Sequence, residues 1–242
     1  MKEMNVIGTM RLLAACQKST TVTRLVVKST GAVYGASSRD QAVFTERDEP
    51  QEIPASGYAR DAVEVEGYVR GFAQRREDVD VTVLRFANII GPCIDTAVSR
   101  YFTLPLVPTV LGYDPRVQLV HEQDALAVLE RAIQVSRPGV FNVGGAGVLA
   151  LSQAIRRAGR IPVPLPEPAA AVIGRLLRGV QLIDYSFEPA RFRHFGRVLD
   201  TTRLRTEFGF VPRWTTVAAF DDYVRARCRG VYSGSRSGFG SG

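Results

Sequence analysis

Apolar residues recur at helical spacing near the start of the chain, at Met4, Ile7, Met10, Leu13 and Ala14, and predict a helix over residues 3 to 18. The short apolar run RLVV, residues 24 to 27, reads as a buried strand that leads into Ser29 and Thr30. From Tyr58 to about Gln74 the spacing returns to helical, with Ala62, Val65, Val69 and Phe72 on one face. VDVTVLRFANIIGP, residues 79 to 92, predicts a β-branched strand that stops at Gly91 and Pro92. VQLVHEQDALAVLERAI predicts a strand passing into a helix, with Asp124 placed as its cap. GVFNVGG, residues 139 to 145, is another strand, followed by a helix through LSQAIRRAG. The prolines of IPVPLPEP lack the amides of a central ladder, so this run is not a central strand. An apolar helix near 169 to 178, the segment FGRVLDTTRLRTEFGFVPRW and a closing helix from about Thr216 to Arg227 follow, and SGSRSGFGSG reads as a flexible tail. Strands separated by helices imply a mostly parallel sheet and an α/β fold.

Composition fits one globular domain, or a domain with a small lobe: 45% of residues are hydrophobic and 23% charged. No apolar run approaches the roughly 18 residues of a membrane span, and the amphipathic N-terminus is not a signal peptide, so a cytoplasmic location is expected. Cys16, Cys93 and Cys228 form no CxxC pair, and His121 and His194 have no ligand spacing, so no metal site is expected. The net charge of +7 resides in the C-terminal third, where residues 156 to 242 carry fifteen arginines against seven acids. Such a face could meet nucleic acid, substrate phosphates or only water. With no interleaved aromatic motif, a nucleic-acid role is not expected.

Gly145, Gly147 and Ala150 spell GxGxxA after a strand and before a helix, with Glu167 further on. The segment that should then be a second parallel strand is the proline-broken one, so the turn is expected to need glycine only for its backbone angles.

The chemistry centres on Thr30, at the end of a buried strand, and Tyr58, at the start of a helix. A tyrosine works as acid or base near neutral pH only if its pKa is drawn down from about 10, which a nearby ammonium does. Tyr-x-x-x-Lys is the economical arrangement, because a residue four positions along shares the tyrosine's face.

NVIGTMRLLAAC, RLVVKSTGAVYG, YARDAVEVEGYV, VTVLRFANIIGP, VHEQDALAVLERA, GVFNVGG and DTTRLRTEFGFVP occur in that order and cover nearly the whole chain. In this order they resemble the NAD-dependent epimerase/dehydratase family of the extended short-chain dehydrogenase/reductases. The resemblance implies an incomplete Rossmann-like doubly wound parallel sheet with a small C-terminal substrate-binding lobe. Residues 1–92 would belong to the Rossmann-like part, 93–230 to the lobe interleaved with a late strand near 139–145, and 231–242 to the tail. It also implies NAD or NADP as cofactor, a nucleotide sugar or related hydroxyl compound as substrate, and a possible homodimer.

By the same resemblance Tyr58 is the acid/base, Thr30 binds the reacting alcohol, and Asn88 and Ser29 contact substrate. In the implied reaction Tyr58, assisted by Thr30, removes a hydroxyl proton while hydride passes to the nicotinamide. Bland readings stand beside these: Thr30 closes a turn, and Tyr58 is a helix-start aromatic. His121 and Asp124 match the family's pattern in form, and His121 is expected to be a structural hydrogen-bonder. Its usual arginine partner is replaced by Val117, with Arg116 one place off and on the opposite strand face.

Two departures qualify the resemblance. Ala62 stands where the family has lysine, and the chain's lysines are Lys2, Lys18 and Lys28. Lys28 lies two residues before Thr30 on the same strand face, so it either replaces the lost charge, and with Tyr58 contacts the cofactor, or snorkels to water. The GxxGxxG cradle expected before the first helix is also missing. A fragment or misplaced start would explain this, as would a short protein that needs a partner to complete its sheet. The competing function is a non-catalytic sugar-nucleotide-binding protein.

Overall fold

The computed structural model describes residues 3–35, 41–49, 57–166 and 196–228. A π-helical turn, Glu3–Ile7, leads into α1 (Gly8–Lys18), then β1 (Arg24–Thr30), a 3-10 turn Gly31–Tyr34, β2 (Val43–Phe44) and α2 (Gly57–Arg75). Next come β3 (Asp80–Phe86), β4 (Asn88–Ile90), α3 (Ala97–Thr103), β5 (Leu106–Val110), β6 (Arg116–Val117), β7 (Leu119–His121) and α4 (Glu122–Gln134). They are followed by β8 (Gly139–Val143), β9 (Leu149–Ala150), α5 (Leu151–Arg157), β10 (Ile161–Leu165), β11 (Val198–Leu199), α6 (Thr202–Thr206) and α7 (Thr216–Arg227). The helix expected near 169 to 178, the tail, Glu167 and His194 lie outside the described residues.

β1, β3 and β8 form a parallel sheet in that order, with Lys28 opposite Leu84 and Thr30 opposite Phe86. β-branched residues dominate the apolar positions of β1 and β3, and they suit a sheet covered on both faces. Strand alternation divides the side chains. Leu84, Phe86 and Phe141 pack with Val120, Ala125 and Val128 on the α4 side, whereas Val81 and Val83 pack with Val69, Phe72 and Leu13 on the other. Helices on both faces of a parallel sheet give the doubly wound arrangement.

The run from 79 to 92 is not one strand. At Ala87 the chain is still bonded to Val143 (2.8 Å), and it then leaves the sheet so that β4 pairs in parallel with β7. The opening helix also departs from expectation in its first turn, where the Thr9 hydroxyl bonds the Asn5 carbonyl and competes with the regular α ladder.

A second apolar cluster, including Phe102, Val107, Leu119, Ile155, Phe220 and Tyr223, forms the lobe. There, among the described residues, β10 pairs with β5 alone, in parallel. Ile161 donates to the Pro105 carbonyl, and Pro162 and Pro164 occupy the alternate positions, whose missing amides cost an edge strand nothing.

Asp124 is not the cap of α4. Nδ1 of His121 takes the Gln123 amide instead (3.2 Å). The buried carboxylate of Asp124 turns to the C-terminal segment and accepts the amides of Arg213 and Trp214. Among the described residues, no helix is long and apolar enough to cross a membrane.

Candidate functional site

The connection β1–α2–β3 joins two parallel strands through a helix that runs back along the sheet, so the start of α2 lies at the end where β1 and β3 finish. Thr30 closes β1, Tyr58 is the second residue of α2, and Asn88 lies two residues past Phe86, the partner of Thr30. All three therefore occupy one end of the sheet, the carboxyl end at which doubly wound folds receive ligands.

Thr30 is extended (φ −139°, ψ 145°), and its Oγ1 accepts the Ala32 amide at 3.2 Å, capping the 3-10 turn. That uses one lone pair and leaves the hydroxyl proton for another partner. Tyr58 is 51% exposed and so is not a core anchor. Asn88 is half-buried.

Ser29 behaves differently from its neighbour. It is buried on the α2 side, and its hydroxyl donates to the Glu66 carboxylate. The strand tip thus carries one committed hydroxyl, Ser29, and one with a proton to spare, Thr30.

Lys28 lies across the sheet from α2, with Nζ 5.8 Å from the Phe86 ring centroid. Its side chain is exposed, yet the protein crowded around the ammonium still lowers the pKa by desolvation. The sheet separates it from Ala62, which packs with Val33, Tyr34, Phe44 and Leu199 on the α2 side. Lys28 therefore shares the sheet face of Thr30, and Ala62 lies on the opposite side.

The sequence reading missed a buried polar group on the α2 side. Nε of Arg85 lies 3.1 and 3.2 Å from the two Glu66 oxygens, and Nη2 lies 2.6 Å from Oε2. Nη1 donates to the Tyr34 hydroxyl (2.9 Å), which donates to Asn142 Oδ1 (2.7 Å). Burial alone would lower the Arg85 pKa, but the hydrogen bonds and charge of Glu66, joined by Tyr34, outweigh it and raise it above normal. Burial raises the Tyr34 pKa against the opposing charge of Arg85. The available signal was an arginine inside the apolar strand VTVLRF and a glutamate at the spacing of Ala62 and Val69.

In the lobe, Nδ1 of His121 accepts a backbone N–H, which leaves the ring proton on Nε2 facing Asp222 at 3.2 Å. The ring stacks on Trp214 with centroids 4.2 Å apart. Arg225 is the main cause that holds the Asp222 carboxyl below its usual pKa; partial desolvation opposes this and His121 adds to it. Val117 is buried and Arg116 exposed.

No GxxGxxG turn of the kind that holds a dinucleotide diphosphate occurs among the described residues. Gly31, Gly91 and Gly145, which follow β1, β4 and β8, approach the protein's own atoms, whereas Gly147 faces open space. A Cβ on Gly31 would meet Leu199 at 3.0 Å, one on Gly91 the Glu122 side chain at 2.3 Å, and one on Gly145 the Leu119 carbonyl at 2.7 Å. In the GxGxxA turn only Gly147 needs its backbone angle (φ 77°); Gly145 is required by close approach. No cluster of three His, Cys, Asp or Glu suited to a metal occurs among the described residues.

A family model described as "NAD dependent epimerase/dehydratase family" matches residues 1–144. An uncharacterized protein of Mycobacterium tuberculosis (strain ATCC 25618 / H37Rv) is 51% identical over 227 residues, which cover 94% of this chain and 60% of that protein. The chain thus spans about three fifths of the length of such curated relatives. Among solved structures, dTDP-glucose 4,6-dehydratase from Bacillus anthracis, in complex with NAD, superposes with a TM-score of 0.70 at 18% identity, over 93% of this chain and 67% of that one. UDP-glucose 4-epimerase from Thermotoga maritima, solved with UDP-glucose, gives 0.67 at 20% identity, over 93% and 69%. At these identities the structures establish a common fold.

Proposed function

The chain belongs to the NAD dependent epimerase/dehydratase family, and we propose that it supplies the substrate side of an oxidoreductase-type site for a nucleotide sugar or related hydroxyl compound. The observation that supports this reading is that Thr30, Tyr58 and Asn88 share the carboxyl end of the sheet, Thr30 on the α4 face and Tyr58 on the helix that packs on the other, so that a common ligand would lie across the strand tips. Thr30 would donate its free proton to, and orient, a substrate hydroxyl, Tyr58 would exchange the proton of that hydroxyl, and Asn88 would contact the ligand from β4.

The family's cofactor is NAD-type, and a nicotinamide supplies hydride chemistry where it is bound. No GxxGxxG turn occurs among the described residues, so the proposal assigns them no phosphate cradle. Lys28 would act on the Thr30 side of the strand.

A second reading, a sugar-nucleotide-binding protein without oxidation chemistry, is favoured by one observation. Ala62, the position for a helix-borne ammonium, is packed into an apolar cluster.

Calorimetric titration with UDP-glucose tests the common part, and absorbance at 340 nm after NAD is added separates the two. Binding with a rise in absorbance supports the enzyme. Binding without it supports the second reading, and absence of binding at millimolar ligand contradicts both.

A further inference from the structure

We infer that Arg85 is a positioning residue, fixing the helix that carries Tyr58 against the strand that carries Thr30; this rests on the proposed site. Its guanidinium bonds Glu66 and Tyr34, and each of these is bonded to a further piece of the structure. Glu66 belongs to α2, about two helical turns beyond Tyr58. Ser29, which bonds the same carboxylate, immediately precedes Thr30 on β1. Tyr34 belongs to the turn that Thr30 caps, and Asn142 to β8, where its Nδ2 also holds the Phe44 carbonyl (3.1 Å).

Among the described residues, α2 also packs on the sheet through apolar side chains. Val65, Val69 and Phe72 pack on Val81 and Val83, and such packing carries little directional preference. A two-pronged guanidinium–carboxylate pair has one good geometry, so rotation or sliding of α2 that moves Tyr58 also breaks the pair. Arg85 and Glu66 are both more than nine-tenths buried. An ion pair so placed adds little net stability compared with apolar side chains of the same size. Its contribution lies in where it holds the helix.

The test removes the polar group without orphaning a charge, in Ser29→Ala/Glu66→Leu/Arg85→Met. Thermal midpoint, amide hydrogen exchange and UDP-glucose titration are compared with the unaltered protein. The expected result is a midpoint within a few degrees, with exchange at residues 29–33 and 57–61 rising at least tenfold and affinity falling at least tenfold. Exchange at both segments unchanged in the folded triple variant would overturn the inference. If the triple variant does not fold, Arg85→Lys decides: it keeps the charge but not the fork, so faster exchange at both segments supports the inference and unchanged exchange overturns it. Failure of the unaltered protein to bind UDP-glucose would count against the proposed function alone, because the exchange comparison needs no ligand.

Discussion

Asp124 and Trp214 are joined by a hydrogen bond from the tryptophan backbone amide to a buried carboxylate, 2.9 Å long, with a companion from Arg213 at 3.0 Å. The C-terminal segment is thereby pinned to the first turn of α4. Asp124→Ala is expected to lower unfolding free energy by about 2–4 kcal/mol, because two amides lose a charged acceptor. Urea denaturation followed by Trp214 fluorescence, from the single tryptophan of the chain, measures it. A loss below about 0.5 kcal/mol would mean that the segment is held by other contacts.

Gly91 leaves room for Glu122, whose carboxylate receives the amides of Cys93 and Ile94 at 3.1 and 2.7 Å. Gly91→Ala is expected to destabilise the fold by about 1–3 kcal/mol through overpacking. In a Glu122→Ala background the same change should cost much less. Denaturation of the four proteins checks this, and additive costs would show that the two positions do not compete for the same space.

Lys28 carries a pKa lowered from 10.5 by desolvation. Between that lowered value and 10.5 the unfolded chain binds the extra proton, so stability rises with pH across the interval. Lys28→Met is therefore expected to raise the thermal midpoint at neutral pH, with the advantage shrinking as pH approaches 10.5. A lower midpoint for the variant at neutral pH would show that the charge stabilises the fold.

Asp222 has the opposite sign. Its folded pKa is depressed below 3.8, first by Arg225 and, against partial desolvation, also by His121. Its contribution is present above the unfolded value and lost as pH falls through the folded one. Asp222→Asn should melt below the unaltered protein at neutral pH and converge with it in acid. A gap that stays constant down to about pH 2 would assign the effect to packing.

Helices and strands were largely legible because their apolar periods are long. The family was legible because seven weak segments occur in order. What misled were positions decided by tertiary contact. Ala87 splits one apolar run between two sheets, and Asp124 sits where a cap is expected but serves a distant segment. Thr30 and Ser29 look alike in KST, yet strand alternation sends one toward the Phe86 side and the other into Glu66. The same alternation puts Lys28 across the sheet from Ala62, which proximity in sequence could not reveal.

The central claim is that Tyr58 and Thr30 serve one ligand. Its most direct test is a double-mutant cycle on UDP-glucose affinity, using Thr30→Ala, Tyr58→Phe and the double variant, each measured by calorimetry. The expected result is a coupling of at least about 0.5 kcal/mol between the two substitutions, as for side chains that contact a shared partner. Two substitutions whose effects simply add, or that leave affinity unchanged, would contradict it.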